Sequence, residues 1–147
     1  MFSKLTRTPN STAIAIVRIV LGVVMFAHGA QKMLGWFGGN GFSGTMGFFT
    51  NYMHIPVPFA FLAIAAEFFG GLGLILGLFT RVAAFGIAAN MVVAVFTVHL
   101  QNGFFANWTG KQAGEGIEYH LLAIAIAALL MIEGGGAASV DRKISHS

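Results

Sequence analysis

Residues 12–34 read TAIAIVRIVLGVVMFAHGAQKML. The run is apolar apart from Arg18 until His28, Gln31 and Lys32 appear near its end. A helix rises about 1.5 Å per residue, so a run of this length covers the roughly 30 Å hydrocarbon core of a bilayer. Three further apolar segments follow, at 58–79, 82–100 and 117–133. The second opens with Pro56 and Pro58, which suit the first turn of a helix. The pattern predicts an all-α, multi-pass membrane protein, an antiparallel four-helix bundle filling residues 1–147 as one domain.

Lys4 and Arg7 ahead of the first run suggest a secretory leader. The apolar core of such a leader spans about 7–15 residues, and this run is longer. We read it as an uncleaved first helix. Composition agrees with burial in lipid. Only 9% of the 147 residues are charged and 56% are hydrophobic, whereas a soluble domain carries about 25% charge. So few charges do not clothe a water-facing surface. The net charge of +3 does not indicate nucleic acid, because the basic residues are scattered and form no basic face. The chain has no cysteine, which excludes disulfides, thiolate ligands and thiol chemistry of its own.

Thr80 and Arg81 alone separate the second and third segments, which predicts a tight helical hairpin. The longer connections, 35–55 and 101–116, are rich in Gly, Asn and aromatic residues. A short amphipathic helix is expected at 43–53. Trp36, Tyr52, Trp108 and Tyr119 suit the headgroup zone, where amphipathic rings settle. With four crossings, Lys4, Arg7, Arg81, Arg142 and Lys143 share one side, against Lys32 and Lys111 on the other. The positive-inside rule then makes the N- and C-termini cytoplasmic. Glu133 and Asp141, which flank the Gly134–Gly136 stop, are expected in the cytoplasmic interface.

Ionisable residues inside a span face the bundle or a water cavity, because lipid does not hydrogen-bond them. Arg18 lies roughly 9 Å into the first span and Glu67 near mid-membrane, so their depths differ by only about 5 Å. They are expected to form a buried ion pair, which either locks two helices or sets a proton site at Glu67. Gly70 and Gly77 lie within about 80° of Glu67 on a helical wheel and allow close packing. Arg18, Gly22, Met25, Gly29 and Lys32 share one face of the first span, with His28 beside it. Lys32 also has a simpler role open to it, snorkelling to the interface.

His28, His99 and His120 fall near one depth, together with Glu118. Such a group is suited to a metal or haem, or to hydrogen-bonding a quinone carbonyl. No local ligand spacing supports the metal reading, and capping or interface bonding explains His99 and His120 singly. On a regular helix Glu118 and His120 point about 160° apart, and Asn90 and His99 lie on opposite faces. Asn90, mid-way along the third span, is expected to bond across to another helix.

Several stretches together resemble the DoxX family of small bacterial membrane proteins. They are RIVLGVVMFAHGAQKMLG at 18–35, AEFFGGLGLILGLFTRVAA at 66–84, HLQNGFF at 99–105, GEGIEYHLL at 114–122 and GGGAASVDR at 134–142. The resemblance implies a four-helix protein of the bacterial inner membrane. It also implies a link to thiosulfate:quinone oxidoreductase or to membrane complexes that handle oxidative stress and reactive quinones. Carried over by motif, His28, Lys32, Glu67, Glu118 and His120 are the candidate functional positions. Three functions follow as expectations. The first is a redox-linked subunit, at most part of a quinone-linked oxidoreductase, that binds a quinone-like or small apolar ligand through His28, Lys32, Glu67, Asn90, Glu118 and His120. The second is a non-enzymatic anchor for soluble redox or oxidative-stress proteins. The third is a small transporter, which needs a homo-oligomer. The expected partners are the lipid bilayer, soluble redox proteins and further copies of the chain, with no nucleic acid. No side chain here carries electrons alone, so a quinone, a haem or a partner protein is required; the cofactor is left open between a quinone and, behind it, a haem or metal.

Overall fold

The computed structural model describes residues 5–145, and every regular element within them is helical. Lys4, counted above among the cytoplasmic charges, lies outside the described residues. The long helices are α1 (Thr12–Met33), α3 (Val57–Leu76), α4 (Thr80–Ala94) and α5 (Glu118–Glu133). Two short helices join them: α2 (Gly41–Gly47), which runs on as a π-helical turn at Phe48–Tyr52, and α6 (Val140–Ser145). Helix α4 likewise continues through a π-helical turn at Val95–His99 and a 3-10 turn at Leu100–Asn102. It thus forms one helical rod over Thr80–Asn102.

Three helical stretches, Thr12–Met33, Val57–Leu76 and Thr80–Asn102, are long and apolar enough to cross a membrane. Their outward faces carry bare hydrophobic side chains such as Ile16, Val23, Phe61, Phe69 and Phe96, the pattern of lipid-facing surface. The chain is a multi-pass membrane protein. Helix α5, with 16 residues, reaches only about 24 Å.

Helix α1 packs along α3, α3 against α4, α4 against α5, and α5 back against α1. Glycines set the α1–α3 distance. A methyl group at Gly29 would sit 2.5 Å from the Phe68 backbone, and one at Gly22 would sit 2.8 Å from the Ile75 nitrogen. One at Gly71 would strike the Phe26 backbone. Small residues at these points let two backbones approach closely in a medium that supplies no hydrophobic force between helices.

The expected turn at Thr80–Arg81 is displaced. Helix α3 stops at Leu76 because Gly77 takes the left-handed conformation, with φ 66°, the usual helix-ending position of glycine. Thr80 already belongs to α4. Asp141 explains the early start: its carboxylate accepts hydrogen bonds from the Phe79 nitrogen at 2.7 Å and the Thr80 nitrogen at 2.8 Å. It therefore caps α4 from the far end of the chain. Asp141, in the first turn of α6, is buried.

The expected Arg18–Glu67 ion pair is absent. Arg18 is completely buried, and its guanidinium donates to five carbonyls. Nε reaches Gly135 at 2.7 Å, Nη1 reaches Leu74 at 2.5 Å and Ile75 at 2.9 Å, and Nη2 reaches Ala137 at 3.4 Å and Ala138 at 3.1 Å. Depths counted from helix ends assume that the ends are flush. The glycine contacts set another register: Gly22 faces Leu74 and Ile75, and Gly29 faces Glu67 and Phe68. Helix α1 therefore projects about 12 Å beyond the end of α3, and Arg18 stands about 16 Å along the axis from the level of Glu67.

The N-terminal segment and the C-terminal loop close over that same end. Arg81 donates to the carbonyls of Leu5, Arg7, Met131 and Ile132. Thr8 Oγ1 accepts from the Gly136 nitrogen at 2.6 Å. Both chain ends and the α3–α4 turn are thus tied into one polar knot.

Candidate functional site

The opposite end of the assembly is hollow. A cavity of about 1150 Å³ lies among α1, the π-helical turn after α2, α3, α4, α5 and the loop that precedes α5. Its wall is mainly apolar, with Met25, Phe49, Met53, Ala63, Met91 and Val98 among the lining residues. A few polar groups interrupt it, the combination expected of a small-molecule site. The polar groups are His28 and Lys32 from α1, Glu67 from α3, and Asn90, Thr97 and His99 from the α4 rod. Trp108 and Glu115 come from the loop, and Glu118, Tyr119 and His120 from the first turn of α5.

Glu67 is the hub. One carboxylate oxygen forms an ion pair with Lys32, and the other accepts from Asn90 Nδ2 at 2.7 Å. Three helices are joined through one buried side chain. The approach of α1 to α3 at Gly29 brings Lys32, one turn further along α1, over Glu67. The lysine is partly exposed, with a side-chain accessibility of 27% against 6% for Glu67. The pair therefore sits at the rim of the hollow rather than in sealed protein.

Asn90 and His99 both line the cavity, although a regular helix would set them on opposite faces. The π-helical turn at Val95–His99 gives the reason. Its wider i→i+5 spacing turns each residue through less than 100° and swings His99 back toward the Asn90 face; such turns recur at functional sites. His99 Nδ1 lies 2.8 Å from the Glu115 carbonyl, and its ring packs on His120 at 4.0 Å between centroids.

Glu118 and His120 both face the hollow because α5 begins at Glu118, so the carboxylate is not bound to the helical wheel. It accepts from the Ala106 nitrogen and from Trp108 Nε1, each at 2.8 Å. Glu118 thus fastens the loop over the cavity mouth. Backbone bonds from Gly116 to Phe105, Ile117 to Gly103 and Glu118 to Phe104 hold the same loop.

Two polar atoms in this wall have no partner: the hydroxyl of Tyr119 and Nδ1 of His120, both buried. A buried donor or acceptor left unpaired costs about 1–3 kcal/mol. Tyr119 was expected among the headgroup-zone aromatics. It turns inward instead, with its ring 5.9 Å from that of His28, while Trp36, Tyr52 and Trp108 are exposed.

The expected metal grouping of His28, His99 and His120 does not form. Among the described residues no three or more His, Cys, Asp or Glu side chains are placed to hold a metal ion. His28 pairs with Tyr119, and His99 engages Glu115 and His120. Of the residues singled out from sequence, the fold brings His28, Lys32, Glu67, Asn90, His99, Glu118 and His120 to one hollow and leaves Arg18 at the other end. Sequence reasoning missed Tyr119 and Glu115 as cavity residues. The only signal was their position beside His120 and Glu118 in GEGIEYH.

The family model described as DoxX matches residues 13–100, which carry Lys32, Glu67 and Asn90. The chain belongs to the DoxX family. This DoxX chain is 32% identical over 137 residues to an uncharacterized protein of Haemophilus influenzae, covering 88% of this chain and 89% of that one. It is also 30% identical over 92 residues to a Bacillus subtilis protein named "Putative oxidoreductase CatD". That alignment covers 63% of each chain, so the DoxX chain matches less than two thirds of the Bacillus protein's length. No solved structure matches it significantly.

Proposed function

We propose that this DoxX protein is a redox-linked subunit of the bacterial inner membrane that binds the head of a quinone-like molecule in the cavity. The single observation that carries the reading is the pair of unpartnered groups, the Tyr119 hydroxyl and His120 Nδ1, buried in an apolar wall beside Glu67. A quinone head is flat and apolar and has two carbonyls at its edge. The hydroxyl of Tyr119 would donate to one such oxygen, and His120 with its proton on Nδ1 would donate to the other; with the proton on Nε2, Nδ1 would instead accept from the hydroxyl of the reduced quinol. The oxidoreductase name of the Bacillus relative agrees with a redox role.

A bound quinone would supply electron transfer, for which no side chain here is suited. The protein's own part is to orient the head, keep water from it and hold protons at its edge. Glu67, paired with Lys32 and oriented by Asn90, is the carboxylate placed to hold a proton there, at the rim where water reaches Lys32. A bound quinone would exchange its electrons with a soluble partner on the membrane surface.

Helix α5 is the fourth crossing in this reading. The loop ladder and the C-terminal knot extend its 16 residues to the two interfaces. The knot carries Arg7, Arg81, Arg142 and Lys143, so it faces the cytoplasm by the positive-inside rule, and the cavity faces the outer leaflet.

The test is titration of the purified protein, in lipid nanodiscs, with methylbenzoquinone, read by quenching of Trp108 at the cavity. Saturable quenching is expected, weakened about tenfold by Glu67→Gln, a loss of about 1.4 kcal/mol. Unsaturable quenching, together with a protein from which no quinone extracts, would end the proposal.

A further inference from the structure

We infer that ligand reaches the cavity sideways from the bilayer, through a slot between α3 and α4, and that the site takes a molecule with an apolar tail. The inference rests on the quinone-head reading and adds the route and the shape of the ligand.

Helices α3 and α4 meet closely in the half near the knot. A methyl group at Gly70 would lie 3.3 Å from Ile87, and one at Gly73 would lie 3.4 Å from Ala83. The contact continues to Gly86, whose added methyl would lie 3.5 Å from Ala66. Beyond that point Leu62 and Ala63 on α3 and Ala89 and Val93 on α4 all line the cavity. Yet Leu62 is 57% exposed and Val93 51%, and Ala89 is exposed as well. A side chain that lines a hollow and also faces outward marks an opening. Here the outward side is the lipid-facing surface of two membrane-crossing helices.

The chemistry along the slot is graded. Leu62, Ala63, Ala89 and Val93 carry no donor or acceptor side chain, and the hydroxyl of Thr97, one turn beyond Val93, is bonded to the Val93 carbonyl at 2.8 Å. The inner end of the slot is formed by Ala66 and Ala89, the chain neighbours of Glu67 and Asn90, which are bonded to each other. A polar head seated at that end leaves its substituent pointing out between alanines and a glycine into acyl chains. There a tail stays in an apolar medium during both entry and binding, and avoids exposure to water. A lipophilic, single-tailed quinone matches this gradient from head to tail. The hollow, at about 1150 Å³, is also larger than a bare ring requires.

The experiment uses the full chain in phosphatidylcholine nanodiscs with two probes, decylbenzoquinone and methylbenzoquinone, each read by Trp108 quenching. Val93→Phe and, separately, Ala63→Phe narrow the slot away from the inner end at Ala66 and Ala89, where the head is seated. Each variant is expected to weaken the decyl probe about tenfold and the methyl probe less than twofold. Leu62→Ala widens the slot and is expected to speed decyl association about threefold. Equal weakening of both probes, or of neither, in a variant that keeps its melting temperature overturns the slot. If neither probe saturates the unaltered protein, the head site fails and the slot fails with it; binding of methyl but not decyl probe overturns the slot alone.

Discussion

The two ends of the helix assembly treat their buried charged groups differently, although Thr80 Oγ1 at the knot is also without a partner. At the knot, Arg18 has as many carbonyl partners as a guanidinium has N–H donors, and Asp141 uses both oxygens on the first turn of α4. At the cavity, the Tyr119 hydroxyl and His120 Nδ1 have none. Completed polar groups hold a structure together. Uncompleted ones lower its stability and remain ready for a ligand. The presence of a polar residue in a span therefore does not reveal its role; where it faces, and the bonds left unmade beside an open cavity, point to one.

Removing Arg18 is the sharpest way to break this contrast. Arg18→Met leaves five carbonyls without their donor, and we expect a loss on the order of 3–5 kcal/mol. Thermal unfolding in detergent, followed by size-exclusion chromatography, would report it as an unfolded or aggregated product. Arg18→Lys should rescue little, since an ammonium has three donors and no planar fork. An Arg18→Met protein that melts like the parent would mean that the knot holds nothing.

Asp141→Ala comes next. It strips the cap from α4 and frees Phe79, a bulky residue held at φ 47°, a conformation that such side chains avoid. The expected cost is about 1–2 kcal/mol, visible as a lower melting temperature and as faster hydrogen exchange at the α3–α4 turn. Unchanged exchange there would show that the turn is held by other means.

The smallest expected effect has the opposite sign. Tyr119→Phe deletes a buried hydroxyl with no partner, so the protein alone should be unchanged or stabilised by up to about 1 kcal/mol. Quinone binding should weaken by roughly 2–10-fold, the worth of one hydrogen bond. A destabilised variant with undiminished binding would place Tyr119 with the structural residues and erase the difference between the two ends.

Much of this was legible in the chain. The apolar runs marked the helices, and the shortage of charge marked the lipid surface. Glu67 and His28 stood out because ionisable groups in hydrocarbon face inward, Asn90 as an amide in mid-span, and Lys32, Glu118 and His120 through the motifs shared with the DoxX family. What failed were inferences that needed a register or a regular helix. Arg18 and Glu67 were paired by depth, but the contacts at Gly22, Gly29 and Gly71 slide α1 past α3 and give Glu67 to Lys32. Asn90 and His99 were set apart by a wheel that a π-helical turn does not obey.

Hydropathy is a property of each segment, so the sequence by itself determined which stretches are helical and that they belong in a membrane. The sequence also limited the chemistry, since a chain without cysteine does no thiol reaction. Which charges meet, which end is sealed and which is hollow depended on contacts between residues far apart in the chain. Gly135 lies beside Arg18, and Asp141 lies beneath Thr80. No local pattern encodes such pairings, because they arise only when backbones close to within a glycine's reach of one another.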